Sequence, residues 1–300
     1  LGLPSFGELH RRADQRAERV SLAVAGPADP SVLRALRVAT DRGWVAPLLV
    51  GDAEAVRLEA GHADVDLDGF RLVDTTAPSA EVAVAEVRSG RAHVLMKGQV
   101  ATSDLMRAVL DPETGLRSGR GVSQVVLMEI TPTDRRFLMA DTGVQTRPRL
   151  ASKAEIVAQV VEVATALGLP APRVALLAAS ETVSSSMSET LDAAELTERA
   201  RQGAFAPAYV QGPLSFDLAY SPEAGVSKRV EGEVVGRADA LVFPDLLSAN
   251  LTVKAIMYTA QCQFGGILKG TIVPVAFMSR SDTPATRLNS LALALAMRES

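Results

Sequence analysis

Short apolar runs rich in β-branched residues alternate along the chain with stretches whose apolar residues recur at the helical period. Residues 6–20 predict an amphipathic helix, and 19–26 a strand ending at Gly26-Pro27. Asp29-Pro30 opens a helix through Val38, and 44–51 returns as a strand, completing a βαβ unit. A helix over 53–60, a strand over 70–73, a helix over 79–89 and a strand over 93–98 follow. Ala101-Thr102-Ser103-Asp104 opens a helix to Leu110, with Thr102 or Ser103 as N-cap, and 111–121 is a loop.

Residues 123–130 and 136–141 read as a hairpin turned by Thr131-Pro132-Thr133-Asp134. A long helix spans 152–167 and stops at Gly168-Leu169-Pro170. Strands over 173–179, 208–213 and 240–245 then alternate with helices over 191–202 and 251–260; 184–188 is a turn and 222–229 a helix or loop. Residues 264–268 and the first half of 271–284 read as strands. Thr283 as N-cap and Pro284 at the first helical position start a last, apolar helix whose apolar run spans 288–297.

This alternation makes the class α/β. The hairpin interrupts it and marks the expected crossing between two lobes, with Lys97, Gly143, Gly212, Asn250 and Ser279 gathered in a cleft between them. Gly26 is a lone glycine, so neither G-x-G-x-x-G nor G-x-x-x-x-G-K-[ST] is present.

Composition narrows the partners. Across 300 residues the formal charge is −4 with no basic tract, which argues against nucleic acid, and no apolar run has bilayer-spanning length. Residues 1–8 lack signal-peptide order. The first residue is Leu1 rather than methionine, so the chain is read as trimmed or part of a longer one. The single cysteine, Cys262, excludes an intramolecular disulfide, agrees with a reducing cytoplasm, and reads as a packed, inert thiol in a helix-like segment. His10, His62 and His93 show no zinc-ligand spacing; the first two read as surface residues and the third as structural.

Candidate chemistry collects at strand ends. Ser279, Arg280 and Asp282 stand between a strand and a helix N-terminus, where α/β folds bind ligands and where an arginine and free N–H groups favour an anion. The alternative is a capped helix start with a surface ion pair. Lys97-Gly98 before Thr102 has the same two readings, an anion-handling loop or a strand-edge lysine beside a cap. Arg117 and Arg120 lie in a glycine-rich loop that either reaches a phosphate or is merely solvated. Asn250 and Lys254, at i and i+4, form a solvated face or a ligand contact.

Taken in order, these pieces resemble the phosphate acetyl/butyryltransferase family. The matching stretches are Leu95-Met96-Lys97-Gly98 with Thr102-Ser103-Asp104; Gly115-Leu116-Arg117 with Arg120 and Ser123; Asp141-Thr142-Gly143 with Pro148; Gly212-Pro213-Leu214; Gly236-Arg237-Ala238-Asp239 with Pro244-Asp245, Asn250 and Lys254; and Ser279-Arg280-Ser281-Asp282. The butyryl-type branch is the nearer, chiefly in 116–120 and 279–282. Departures are Gln211, where an acidic residue commonly precedes Gly-Pro, Val144-Gln145-Thr146-Arg147 after the Asp-Thr-Gly, and Thr286, where acetyl-type members carry the aspartate proposed as base.

The resemblance implies reversible transfer of a short acyl group, acetyl to butyryl, between coenzyme A and inorganic phosphate, with no metal or bound cofactor. It implies a fold similar to isocitrate/isopropylmalate dehydrogenases, with one lobe of residues 1–135 plus 279–300. Residues 136–278 would form the second lobe, carrying the CoA side and the interface of a cytoplasmic homodimer or larger homo-oligomer. Ser279, Arg280 and Asp282 become the catalytic candidates. Arg280, Arg120, Lys97, Thr102 and Ser123 become the phosphate or acyl-phosphate contacts, and Asn250, Lys254, Gly212 and Pro213 the CoA contacts. Two alternatives of the same fold stay open: a non-catalytic acyl-CoA-binding protein, and a metal-dependent hydroxy-acid dehydrogenase.

Overall fold

The structure, a computed structural model, describes residues 2–277 and 279–298. In chain order the first elements are α1 (Phe6–Asp14), β1 (Val20–Ala25), α2 (Pro30–Asp41), β2 (Val45–Gly51), α3 (Ala53–Ala63), β3 (Arg71–Asp74), α4 (Ser79–Arg88), β4 (Val94–Lys97) and α5 (Thr102–Leu110). There follow β5 (Ser123–Ile130), β6 (Arg135–Ala140), α6 (Leu150–Ala166), β7 (Arg173–Leu177), α7 (Ser188–Arg201), β8 (Tyr209–Leu214), α8 (Phe216–Tyr220), α9 (Pro222–Lys228) and β9 (Ala240–Val242). The chain closes with α10 (Leu246–Thr259), β10 (Cys262–Lys269), β11 (Val275–Ala276) and α11 (Pro284–Ala296).

The α/β alternation expected from the sequence is present, and it builds two compact units. One contains Phe6–Arg120 and Phe264–Ser300; the other contains Leu1–Ser5 and Gly121–Gln263. The breaks therefore fall at 120/121 and 263/264, not at 135/136 and 278/279. The reason is the hairpin: β5 and β6 pair antiparallel from Val126↔Met139 to Ile130↔Arg135, so both strands stay in one unit.

In the unit holding α11 the strand order is β3-β2-β1-β4-β11-β10. All neighbours are parallel except β11 and β10. Strands β1, β2 and β4 are buried on both faces, as their continuous apolar runs require. Trp44, Phe6, Leu9 and Leu36 are fully enclosed, and α11 is the central helix, with every residue from Ser290 to Ala296 buried. Asp29 and Thr283 cap α2 and α11 ahead of Pro30 and Pro284. The apolar run from Thr271 yields only the two-residue β11. Ile272 is half exposed, and the Thr271 hydroxyl donates to the Val273 carbonyl, closing a local turn before Pro274.

In the other unit the order is β5-β6-β9-β7-β8, antiparallel only between β5 and β6. Pro213 is tolerated in β8 because that strand ends the order. Helix α10 starts at Leu246, five residues before the predicted position, because Asp245 accepts from the Ser248 N–H and caps it there. Cys262 opens β10 instead of sitting in a helix, half-buried, and burial pushes its thiol pKa up. Among the described residues no helix is long and apolar enough to cross a membrane.

Candidate active site

Parallel pairing lines up the carboxyl ends of β1, β4 and β11. Ala25 is in register with Lys97, and Ala276 with Met96, so the segments leaving these strands emerge along one edge. Strand β2 lies on one side of β1 and β4 on the other, so the chain reverses its direction of strand addition at β1. Crevices for ligands open at such switch points. The backbones approach closely here: a Cβ on Gly98 would sit 2.2 Å from the Gly26 carbonyl oxygen, so only glycine fits.

Four segments meet at this edge. Asp29 ends the turn after β1 and accepts from the Ser31 and Val32 N–H groups at 2.9 and 3.1 Å. Its second oxygen accepts from Gln99 Nε2 at 2.8 Å, and the Ser31 hydroxyl donates to the first. Arg287, fully buried on α11, donates from Nε to Ser31 Oγ at 2.9 Å and from Nη2 to the Arg280 carbonyl at 3.3 Å. Gln99 Nε2 also donates to that carbonyl at 3.3 Å. Asp282 Oδ2 accepts from the Ser279 N–H at 2.8 Å, closing the turn that exposes Ser279 and Arg280.

Lys97 is fully buried behind this turn, within electrostatic reach of Arg287, Arg280 and Asp282. It donates a long hydrogen bond, 3.5 Å, to the Gly98 carbonyl. Burial lowers its pKa from 10.5 to about 8, the two arginines add to the shift, and Asp282 opposes it. Three cations against the carboxylates of Asp29 and Asp282 leave the cluster net positive, which suits an incoming anion.

The ammonium of Lys97 is disfavoured by folding, so its penalty is fully present below about pH 8 and fades as pH rises toward 10.5. Lys97→Met is therefore expected to raise stability at pH 7 by roughly 1–3 kcal/mol, an advantage that shrinks between these pH values. Urea unfolding of both proteins at pH 7 and pH 10 checks this; a less stable methionine variant at pH 7 would refute it.

Pockets also open in the other unit. One, of about 730 Å3, is mostly apolar, with Phe216, Phe243, Leu251 and Ile256 in its wall. A second, of about 540 Å3, is lined by Thr146, Arg147, Leu246, Leu247 and Asn250. Between β6 and α6, the buried carboxylate of Asp141 accepts from the N–H groups of Gln124, Gly143, Val144 and Gln145 at 2.8–3.1 Å.

Comparison with known proteins gives the lineage. The phosphate acetyl/butaryl transferase profile matches residues 75–295. The chain belongs to this family. A phosphate butyryltransferase of Clostridium acetobutylicum is 37% identical over 294 residues, covering 97% of each chain. A branched-chain phosphotransacylase from Enterococcus faecalis V583 superposes with a TM-score of 0.80 at 31% identity, over 93% of this chain and 98% of the other. In fold alone, a phosphotransacetylase from Streptococcus pyogenes matches with a TM-score of 0.84 at 24% identity, over 98% of each chain. A 4-hydroxythreonine-4-phosphate dehydrogenase from Klebsiella pneumoniae shares the dehydrogenase-like architecture at a TM-score of 0.53 and 12% identity, over 94% of this chain and 99% of the other. The relatives favour an acyltransferase over a binding module or dehydrogenase.

Of the transferase candidates named from sequence, Lys97, Ser279, Arg280 and Asp282 come together at one strand edge. Thr102 is exposed on the first turn of α5, whose N-cap is Ala101 without a side-chain bond, so neither Thr102 nor Ser103 caps it. Arg120 is half-buried at the last position of this unit's first segment. Ser123 is fully buried with its hydroxyl held by Gln159, so it offers no surface to a ligand. Asn250 lines the 540 Å3 pocket, and Lys254 is exposed one turn further along α10.

Gly212 has both backbone groups tied to Thr197 Oγ1, at 2.9 and 3.0 Å, and a Cβ there would strike Leu176. Pro213 is buried beside it, so this pair serves the packing of β8. His10 is half-buried, bonded to Asn289 at 2.9 Å and packed edge-on against Trp44, whereas His93 is exposed. Asp29, Ser31, Gln99 and Arg287 are members of the cluster that the sequence pattern left unassigned. The signal was slight: Arg287 is a lone charge in an otherwise apolar helix.

Proposed function

We propose that this protein transfers a short acyl group, acetyl to butyryl, between coenzyme A and inorganic phosphate. The observation that carries the reading is the net positive cluster of Lys97, Arg287 and Arg280 at the strand switch point. Family membership gives that cluster its substrate. Arg280 is exposed, so its planar fork is free to grip a phosphate in two places, with the Lys97 charge behind it. A phosphate oxygen attacks the thioester carbonyl carbon; the C–O bond forms, the C–S bond breaks, and sulfur leaves as a thiolate that takes up a proton.

In reverse, a CoA thiol of cysteine-like pKa, about 8.5, must lose its proton to attack the acyl phosphate. Asp282 is the base in this reading and the Ser279 hydroxyl orients the thiol or carbonyl oxygen. Holding both substrates together supplies much of the rate with no covalent enzyme intermediate. Arg147 and Asn250 at the 540 Å3 pocket, with Lys254 nearby on α10, suit the phosphates of CoA. Exposed Leu247, Leu251 and Tyr258 along α10 support a homodimer, and the lone Cys262 suits a cytoplasmic protein.

The test is thiol release. Purified protein given acetyl-, propionyl- or butyryl-CoA is expected to release CoA only when phosphate is present, without a nicotinamide cofactor. Measurable CoA binding with no release from any of the three would overturn transfer in favour of a binding protein.

A further inference from the structure

We infer that Arg287 is a positioning residue for the phosphate-binding arginine. Arg280 has an exposed side chain on a turn, yet its carbonyl accepts from two donors, Arg287 Nη2 and Gln99 Nε2, each at 3.3 Å. Both donors are fixed to one frame. Gln99 Nε2 also donates to Asp29 Oδ2 at 2.8 Å, and Arg287 Nε donates to Ser31 Oγ, whose own proton goes to Asp29 Oδ1. Asp29 is itself immobilised as the cap of α2. The orientation of Arg280 thus passes from β1 through Asp29 and Ser31 to α11, independently of the Ser279–Asp282 bond that closes the turn.

The chemistry of Arg287 exceeds what structure alone requires. A fully buried guanidinium is expensive unless paired, and an apolar side chain of similar size would fill the same helix position. A planar fork bonds Ser31 and the Arg280 carbonyl from two N–H groups in fixed geometry; a lysine, with its donors on one flexible ammonium, does not reproduce that arrangement. Nη1 is buried without a hydrogen-bond partner, which leaves a cationic donor unsatisfied beside Lys97. An oxyanion gripped by Arg280 would compensate both cations, so the arginine that fixes the turn also raises the field at its anion site.

The inference rests on Arg280 being the phosphate arginine, and its test keeps the two apart. Phosphate and CoA binding are measured by calorimetry on wild type, Arg280→Ala, Arg287→Lys and Ser31→Ala, with kcat and both KM values alongside. Arg287→Lys is expected to weaken phosphate about tenfold or more while leaving CoA affinity within about twofold and kcat at saturating phosphate largely intact. Ser31→Ala, which keeps every charge and removes only the tether, shifts phosphate in the same direction by a smaller factor. It also serves if the lysine variant folds poorly.

A merely structural arginine would lower stability with no split between the two ligands, and that outcome overturns the inference. So does unchanged phosphate affinity in Arg287→Lys while Arg280→Ala loses it. If Arg280→Ala binds phosphate like wild type, the assignment of the phosphate site itself falls.

Discussion

Replacing Arg280 with alanine is expected to raise the KM for inorganic phosphate by about a hundredfold and to leave that for acyl-CoA within about twofold. The size follows from losing a bidentate, charge-assisted contact, two hydrogen bonds of about 1.5–3 kcal/mol each, taken at the low end because the side chain is exposed and screened. Selectivity follows from the fold. The Arg280 backbone is held through its carbonyl, and the turn is closed by Asp282 on the Ser279 N–H, so truncation leaves the loop intact. The side chain is exposed and its removal opens no cavity, so the melting temperature stays at the wild-type value. Arg280→Lys restores charge without the fork and falls between the two. Steady-state kinetics with each substrate varied in turn decides it: an equal rise in both KM values removes Arg280 from the phosphate subsite.

What made Arg280 legible is local. A Ser-Arg-Ser-Asp stretch, a threonine cap and a proline at the first helical position announce a helix start, and all three features occupy those positions. The same local chemistry identified α2 from Asp29-Pro30. Local signals failed where tertiary pairing set the outcome. The apolar stretch 271–277 has strand composition, yet only Val275 and Ala276 form a strand, because the Thr271 hydroxyl turns the chain back on Val273. The helix expected over 251–260 begins five residues earlier, so Asn250 is the fifth residue of α10, because the Asp245 cap precedes four residues that carry no periodic signal of their own.

Burial was the hardest property to read. Lys97 ends a four-residue strand and looks like an edge lysine, but parallel neighbours on both sides enclose it. Ser123 opens a strand like any exposed hydroxyl, and only its contact with Gln159, from a helix 36 residues on, removes it from the ligand surface. Arg287 joins Ser31 from 256 residues away, a pairing no local pattern encodes. The class came from periodicity and the site's edge from strand-end chemistry. The frame that orients the site came from contacts between segments remote in sequence.

Asp141 shows the same division between a visible motif and an invisible role, and its loss is expected to be the most damaging to stability. The Asp-Thr-Gly stretch has the look of chemistry, yet the carboxylate is buried and fully engaged by backbone. Oδ1 accepts from Gln124, Gly143 and Val144, and Oδ2 accepts from Gln145 at 2.8 Å. Burial pushes its pKa up while the four N–H bonds pull the other way. Asp141→Ala would leave four donors without their acceptor, at about 1–3 kcal/mol for each that water fails to reach. Because Gly143, Val144 and Gln145 are only half-buried, water recovers part of this, and a net loss of about 3–5 kcal/mol is expected. In a chain of this length that lowers Tm by roughly 10 °C. Asp141→Asn keeps an oxygen for the three Oδ1 bonds, avoids burying a charge, and sets an amide donor against the Gln145 N–H, so its loss is smaller, about 1–2 kcal/mol. Thermal unfolding of the two variants checks both the size and the order. An alanine variant melting within about 2 °C of wild type, or below-alanine stability in the asparagine variant, would show that the loop after β6 is held by something other than this carboxylate.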